Sequence, residues 1–462
     1  MVEGQDIVVI PNQEGDLTTP SIVGFKEDSV LVGELARRQA VLNPVNTFYS
    51  VKRFIGKQFS DCSEDSKRVP FRVVADPDGS GDAVMECSNV EGSVLYPEEI
   101  SAHVVAKLIK SAEMYSGRSI NKAVISVPAY FDDEQKEATV NAGRLAGLDT
   151  VRIIREPVAA ALAYGISAEE DQTVLVFDLG GGTYDVSLLE VGGGVIEVLS
   201  TGGDPHLGGD DWDNAIISWL IDFYLKPAGV NCQDATILTN LKAVAEAAKI
   251  KLSTEDKVLI RMPIGKGIEA VLTRNMFEGM TVDLFRQARL PLDQACWQAG
   301  VDLGTVVKEY DDAFKSLKSQ KGKNKRKKGP SGADADLAKS GPQIRPKRRL
   351  PVSQVLLVGG ATRMPAVRRF VKNMTGLEPK PGLVDPDLAV AYGAAVQAGI
   401  YEGSVQDLMI IDVWQASLMR AYAKLVQESK ESDGDEKGDE KGDEEDSADW
   451  VDEELGETVD ES

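Results

Sequence analysis

The chain has 462 residues, which suits more than one domain or lobe, and a formal net charge of −23. Its apolar fraction of 42% is ordinary for a globular protein, and no apolar run is long enough to cross a membrane. Much of the negative charge lies in residues 428–462, which hold 18 acidic residues and 3 lysines. Because the remainder is only mildly acidic, we expect neither nucleic acid nor a membrane as a partner.

The cysteines and histidines are few. The 4 cysteines are scattered and only 2 histidines are present, which argues against a disulfide framework and a zinc site. His206 lies in a predicted loop and is interpreted as structural.

Residues 1–165 are predicted to form a first lobe. Its first element is a strand-like segment over Gly4–Pro11. Near its end, Glu156 and Pro157 begin a predicted helix, because an acidic residue followed by proline is a good helix start. The small residues that follow would let this helix approach another backbone closely.

The first glycine turn follows a predicted buried strand. The apolar, β-branched run at 174–177 indicates the strand, which stops at consecutive glycines. The glycines are Gly180, Gly181 and Gly182. Glycine lets the backbone fold tightly and turn its N–H groups toward an anion. Asp178, Thr183 and Asp185 flank the turn and suit a metal-bound water, and the chain then re-enters a strand.

A second glycine turn lies in the second predicted lobe, residues 166–404. The predicted strand 354–358 stops at Gly359 and Gly360 and leads into a helix, whose first N–H groups would favour phosphate. Two such turns, far apart in sequence, indicate a nucleotide clamped between two lobes. For either turn alone, a plain hairpin or bulge is the alternative.

Residues 385–395 echo residues 156–165 and hint at an internal duplication. Asp385 precedes a proline as Glu156 does, and small residues follow in both segments. The echo favours two related lobes, whereas two ordinary alanine-rich helices are the alternative.

Charge dominates two further segments. Residues 315–349 hold 13 lysines and arginines and 2 aspartates, so they cannot bury enough apolar surface and we predict a disordered insertion. A nucleic-acid patch or a nuclear localisation signal is the weaker alternative. Residues 414–427 predict a short helix, and the low-complexity acidic tail 428–462 is predicted to be disordered.

These motifs together resemble the heat shock protein 70 family of DnaK type. The resemblance is carried by residues 43–60, 124–165, 174–214 and 353–413, and it covers roughly Ile10 to Val413. It implies an α/β protein with the actin-like ATPase fold, in which two lobes surround a nucleotide cleft and two helices cross beneath it. The implied function is an ATP-binding module of an ATP-dependent protein-folding chaperone.

The resemblance also implies roles for the residues around the first turn. Lys52 matches the lysine that approaches the γ-phosphate, and Glu156 matches the carboxylate beside the attacking water and the metal. Asp178 would hold Mg²⁺ through its water shell, Asp185 would hold water or metal, and Thr183 would donate to a phosphate oxygen. For an isolated lysine or glutamate, a solvated surface charge is the more common interpretation.

The contacts to ATP or ADP follow from the same resemblance. Glu246, Lys249 and Ser253 lie at i, i+3 and i+7, so they share one helix face, which the family turns toward the ribose and the base. An amphipathic charged helix is the alternative for this segment. The Arg363 guanidinium could stack on adenine. The remaining implied nucleotide contacts are Gly180, Gly181, Gly182, Gly203, Gly359, Gly360 and Asp387.

The chain departs from the family at both ends. The family opens with a strand and a first phosphate loop of the type Asp-Leu-Gly-Thr-Thr, whereas Gly4–Pro11 resembles the following strand. Either upstream sequence is missing, or the chain is a partial ATPase that binds nucleotide poorly, so hydrolysis is left open. Residues 405–413 resemble the linker between domains, and we expect no client-binding domain after it.

Other functions and the location are weighed on the same features. A non-enzymatic regulatory or scaffold protein that uses the acidic tail is the main alternative, and a small-molecule kinase of the same fold class ranks last. Cochaperones are the implied protein partners. Residues 38–44 and 207–213 look like the bacterial and plastid branch, which implies the plastid stroma, with the mitochondrial matrix or the cytoplasm as alternatives.

Overall fold

The computed structural model describes most of the first 403 residues. The described residues are 2–3, 6–40, 42–90, 94–166, 170–232, 235–262, 267–301, 303, 351–379 and 384–403. The predicted basic insertion 315–349, linker 405–413, helix 414–427 and acidic tail 428–462 lie outside these ranges. Among the described residues, no helix has both the length and the apolar character needed to cross a membrane.

The first lobe contains small sheets and five helices in its described residues. Its elements are β1 (Val2–Glu3), β2 (Asp6–Ile7), β3 (Ile22–Phe25), β4 (Val30–Val32), α1 (Glu34–Gln39), β5 (Thr47–Tyr49), α2 (Ser63–Ser66), β6 (Val73–Ala75), β7 (Ala83–Glu86), β8 (Val94–Leu95), α3 (Pro97–Ser116), β9 (Lys122–Val127), α4 (Asp133–Leu145), β10 (Thr150–Arg155) and α5 (Glu156–Ala163). A short 3₁₀ turn, Val51–Arg53, carries Lys52.

The second lobe is built on a larger sheet. Its elements are β11 (Gln172–Leu179), β12 (Tyr184–Gly192), β13 (Val195–Asp204), α6 (Gly209–Leu220), α7 (Ala235–Leu252), β14 (Lys257–Met262), β15 (Ile268–Thr273), α8 (Arg274–Met280), α9 (Val282–Gln298), β16 (Gln354–Val358), α10 (Pro365–Thr375) and α11 (Ala389–Tyr401). A 3₁₀ turn, Gly360–Arg363, joins β16 to α10.

The four-stranded sheet of the second lobe has the order β13–β12–β11–β16. Strand β11 is antiparallel to β12 and parallel to β16. It reads as a continuous apolar run because both of its faces are covered: Leu175 and Phe177 join one core, whereas Val174 and Val176 join another. Because β11 and β16 are parallel, the two glycine turns that follow them meet at one edge of this sheet.

Helices α5 and α11, which the two echoing segments form, cross in close contact. A Cβ on Gly393 would lie 1.7 Å from the Ala159 carbonyl oxygen, so only glycine permits this approach. Helix α11 also packs against β9, which pairs with β10 in a parallel two-stranded sheet. The last described helix of the second lobe therefore returns to the first lobe.

The predicted strand Gly4–Pro11 is wrong over most of its described residues. Within the described part of this segment only Asp6–Ile7 is a strand, and it pairs antiparallel with Val2–Glu3. Val8, Val9 and Ile10 instead line a cavity of about 280 Å³ together with Leu108 and Tyr392. An apolar run predicts burial, but tertiary packing decides whether a strand partner is present.

Candidate functional site

The two predicted glycine turns touch each other. Asp178 lies opposite Val358 in the parallel ladder of β11 and β16, one residue before β11 ends and at the last residue of β16. Gly359 follows with a positive φ of 82°, and a Cβ there would lie 2.3 Å from the Leu179 carbonyl oxygen. Glycine at 359 is therefore required both by its conformation and by the first turn. The closeness places two candidate phosphate cradles side by side.

The first turn has the geometry of a tight hairpin in which three of the four amides are left free. The Gly180 amide donates to the Thr183 carbonyl at 3.0 Å and closes the turn between β11 and β12. Within the described residues, no group accepts a hydrogen bond from the amides of Gly181, Gly182 or Thr183. Because backbone N–H groups are strong donors, three free amides in one turn suit an anion.

The N-terminus of α6 holds the carbonyl side of this turn. The Gly209 amide donates to the Gly180 carbonyl at 2.9 Å, and the Asp210 amide donates to the Gly181 carbonyl at 2.8 Å. A Cβ on Gly208 would lie 2.4 Å from the Gly181 carbonyl oxygen, so a larger residue would push the helix away from the turn. The helix thus fixes the orientation in which the turn presents its amides.

Carboxylates gather beside the first turn. Asp178 and Asp185 face each other across β11 and β12. Burial, reinforced by the Glu156 and Asp185 carboxylates, raises the pKa of Asp178 to about 8. Burial and the Glu156 carboxylate raise the pKa of Asp185 to about 7. The Asp178 and Asp185 carboxyl groups therefore resist ionisation, and a cation bound beside them would favour their charged forms.

Lys52 reaches the same carboxylates from the first lobe. Its Nζ donates to Glu156 Oε1 at 2.6 Å. Desolvation lowers the pKa of Lys52, but the carboxylates of Glu156, Asp185 and Asp178 outweigh it and hold the pKa above its ordinary value. The lysine is therefore a permanent cation at the edge of the acidic cluster.

A small cavity lies within the acidic cluster. It has a volume of about 10 Å³ and is lined by residues that include Glu156, Asp178 and Asp185. This space suits about one water molecule, and a water needs several polar partners of the kind found here. Beyond it, a pocket of about 450 Å³ is lined by residues that include Lys52, Thr183, Asp185, Gly182 and Gly203.

The donors present fit magnesium with added ligands. Mg²⁺ prefers oxygen donors and keeps several waters, so one or two carboxylates suffice when phosphate is present. Within the described residues, no group of three acidic, histidine or cysteine side chains could hold a metal ion alone. Asp178 and Asp185 would therefore hold Mg²⁺ together with waters and phosphate oxygens.

The helix predicted to face the adenosine carries its residues near the first turn. Lys249, on α7, donates to Asp213 Oδ2 at 2.7 Å and to the Gly209 carbonyl at 3.1 Å. Glu246 is exposed on the same helix, and Ser253 follows the helix end. Burial raises the pKa of Asp213 to about 6, although the Lys249 ammonium opposes the shift. The Lys249 ammonium is thus bound to groups of α6, which the residue spacing on α7 does not predict.

The second glycine turn carries the residues predicted to contact the adenosine from the side opposite α7. Arg363 donates to Asp387 Oδ2 through Nε at 3.3 Å and through one terminal nitrogen at 3.1 Å, and it also pairs with Asp385. A Cβ on Gly360 would lie 2.6 Å from Asp387 Oδ1. Two carboxylates therefore hold the guanidinium plane, as a stacking surface requires.

Two residues at the site were not assigned a role from the sequence. Arg53 contacts the carbonyl of Gly182, and Asp213 is the buried partner of Lys249. Neither has a local signal, because an arginine after Lys52 and an aspartate within an amphipathic helix match common surface patterns. The structure identifies both through partners that are remote in sequence.

Comparison with known proteins identifies the family. The Hsp70 protein family profile matches residues 1–308 and 348–434. The chain is 43% identical over 427 residues to the chaperone protein dnaK of Cyanidioschyzon merolae. It is 44% identical to the chaperone protein dnaK3 of Thermosynechococcus vestitus and 42% identical to the chloroplastic heat shock 70 kDa protein 7 of Arabidopsis thaliana. The chain belongs to the Hsp70 family.

Membership confirms the predicted fold but covers only part of the relatives. The nucleotide-binding domain of Hsp70 proteins has the actin-like ATPase fold, and the mixed α/β sheets described above agree with it. Each match covers 90% of this chain. The same matches cover 62%, 55% and 52% of the three relatives, respectively.

Proposed function

We propose that this chain is the nucleotide-binding module of an ATP-dependent protein-folding chaperone, and that it binds ATP and ADP with Mg²⁺. The observation that carries the proposal is the contact between the two glycine turns beside Asp178, Asp185 and Lys52. Free amides, a lysine and mutually repelling carboxylates at one place suit the phosphates of a nucleotide and its cation. Cochaperones and client proteins are the proposed partners of the whole protein.

The proposed chemistry is transfer of the terminal phosphoryl group of ATP to water. Lys52 neutralises charge on that group, and Thr183 donates a hydrogen bond to one of its oxygens. Glu156 accepts a hydrogen bond from the attacking water and orients it. Magnesium would neutralise charge on the phosphates when bound. Lys249 and Arg363 would position the adenosine on either side.

Calorimetry of nucleotide binding tests this proposal. We expect saturable binding of ADP and of a non-hydrolysable ATP analogue in the presence of Mg²⁺. Lys52→Ala should weaken binding of the ATP analogue roughly tenfold or more, because a charged hydrogen bond is lost, and ADP binding should change little. Lys26→Ala, at an exposed lysine, is the control. Absence of saturable binding of either nucleotide would contradict the proposal.

We also propose a plastid location. The support is the similarity to a relative described as chloroplastic and to DnaK proteins of an alga and a cyanobacterium. A fluorescent fusion of the complete gene product should coincide with chlorophyll fluorescence, most simply in the stroma. Fluorescence confined to mitochondria or to the cytosol would overturn this assignment.

A further inference from the structure

Arg53 joins segments that are far apart in the chain. One terminal nitrogen of its guanidinium lies 2.6 Å from His206 Nδ1, and the other donates to the Gly182 carbonyl at 3.1 Å. The first nitrogen also contacts Asp65 Oδ1 at 3.4 Å. Arg53 ends the turn that carries Lys52, whereas Gly182 is the last glycine of the first turn. A single side chain therefore connects the lysine to the candidate phosphate cradle.

The contacts determine which nitrogen of His206 carries the proton. A guanidinium can only donate, so Nδ1 must be the unprotonated acceptor and the imidazole is neutral. The proton is then on Nε2, which lies 3.5 Å from Asp65 Oδ1. The His206 amide donates to Asp204 Oδ1 at 2.8 Å and fixes the loop that presents the ring. The histidine is therefore oriented for Arg53 before any ligand binds.

We propose that Arg53 and His206 are positioning residues, which form with Asp65 a latch that holds Lys52 in register with the first glycine turn. The inference rests on the proposed function, since register matters only if phosphate binds between them. The side chains of all three residues are mostly buried, with exposed fractions of 21%, 29% and 14% for Arg53, His206 and Asp65. Charged hydrogen bonds shielded in this way are stronger than those on an open surface.

The latch should open in acid. A proton on His206 Nδ1 removes the acceptor and places two cations together. Around the ring, Arg53 and Arg68 oppose protonation, whereas Asp65 and Asp204 favour it. Burial first, then the two arginines, leave the pKa of His206 below its ordinary value. The latch is therefore complete above about pH 6.5 and is lost as the pH falls through the lowered pKa.

Two measurements on the full chain test the latch. The first is the release rate of a fluorescent ADP analogue between pH 8 and pH 5.5. The second is hydrogen exchange of the Gly180, Gly209 and Asp210 amides, whose hydrogen bonds hold the first turn, in the nucleotide-free protein at a single pH. Three variants are compared. Arg53→Gln removes the charge, whereas Arg53→Lys keeps the charge and loses the two-pronged guanidinium. His206→Gln keeps a hydrogen-bond acceptor that does not titrate. Arg68→Gln is the matched control, because it removes a nearby charge and no latch contact.

We expect Arg53→Gln to release the analogue roughly tenfold to a hundredfold faster and to raise exchange at the turn, with a smaller effect for Arg53→Lys. Release from the wild type should accelerate in acid, and His206→Gln should lose the part of that acceleration that comes from protonation of His206. Equal exchange and release in Arg53→Gln and Arg68→Gln would overturn the latch. Failure of the wild type to bind the analogue would overturn the proposed function instead, and hydrogen exchange would still test the latch.

Discussion

Replacing Asp178 by asparagine should stabilise the nucleotide-free protein and weaken its binding of Mg–ADP. Asp178 is partly buried, and its pKa is raised from 3.8 to about 8 by burial and by the Glu156 and Asp185 carboxylates. Ionised Asp178 therefore costs folding free energy at neutral pH. Asparagine has nearly the same shape and no charge, so it removes this cost and also the ligand for the cation.

The size of the effect follows from linkage between protonation and folding. At pH 7, moving the pKa from 3.8 to about 8 costs the folded state roughly 4 kcal/mol. The three carboxylates titrate together and the cleft admits solvent, so we expect about half of this, roughly 2 kcal/mol. The folded state binds the proton more tightly, so its stability falls as the pH rises from about 4 to about 8. The gain from Asp178→Asn should shrink on acidification.

Urea unfolding at pH 8, 7 and 6, with calorimetry of Mg–ADP binding, measures both consequences. Asp28→Asn is the matched control, because it removes the same charge from an exposed position. The control should leave both the free energy of unfolding and the Mg–ADP affinity nearly unchanged. Asp178→Asn should raise the free energy of unfolding and lower the Mg–ADP affinity.

Two results would refute this reasoning. One is loss of stability in Asp178→Asn at pH 8, which would mean that the carboxylate stabilises the fold. The other is a stability difference that stays constant between pH 8 and pH 6, because the repulsion argument requires it to shrink.

Three further changes have expected outcomes. Binding of Mg–ADP at pH 7 should release about one proton, seen by calorimetry in buffers of different ionisation enthalpy, because Asp178 and Asp185 ionise on binding. Asp213→Ala should lower the free energy of unfolding by roughly 3–5 kcal/mol in urea, since it leaves a buried lysine without its charged partner. Gly393→Ala should lower it by about 3 kcal/mol, because the added Cβ meets a carbonyl at 1.7 Å.

The first glycine turn could be predicted because its signals are local. An apolar run that stops at glycines predicts both the strand and the turn, and the structure places β11 and its hairpin there. The residues on either side of the turn, Asp178 and Asp185, consequently face each other. The contact between this turn and Gly359 depends on the parallel pairing of β11 with β16, which no local pattern specifies.

The rest of the site depends on partners that are distant in sequence. Arg53 and His206 are separated by 153 positions, so neither periodicity nor spacing could pair them. Spacing correctly put Lys249 on a defined face of α7, but its partner Asp213 lies 36 residues earlier on α6. Likewise, the apolar run over Gly4–Pro11 indicated burial but did not predict that the strand ends at Ile7.

Backbone amide NMR tests the central claim most directly, namely that the two glycine turns form one phosphate cradle. ADP with Mg²⁺ should shift the amide signals of Gly181 and Gly182, because phosphate oxygens would accept hydrogen bonds from their free N–H groups. The amide signal of Gly360, in the adjoining turn, should shift as well. Adenosine without phosphates should leave the Gly181 and Gly182 signals in place. If ADP shifts other signals and leaves these unmoved, the nucleotide binds elsewhere and the account is contradicted.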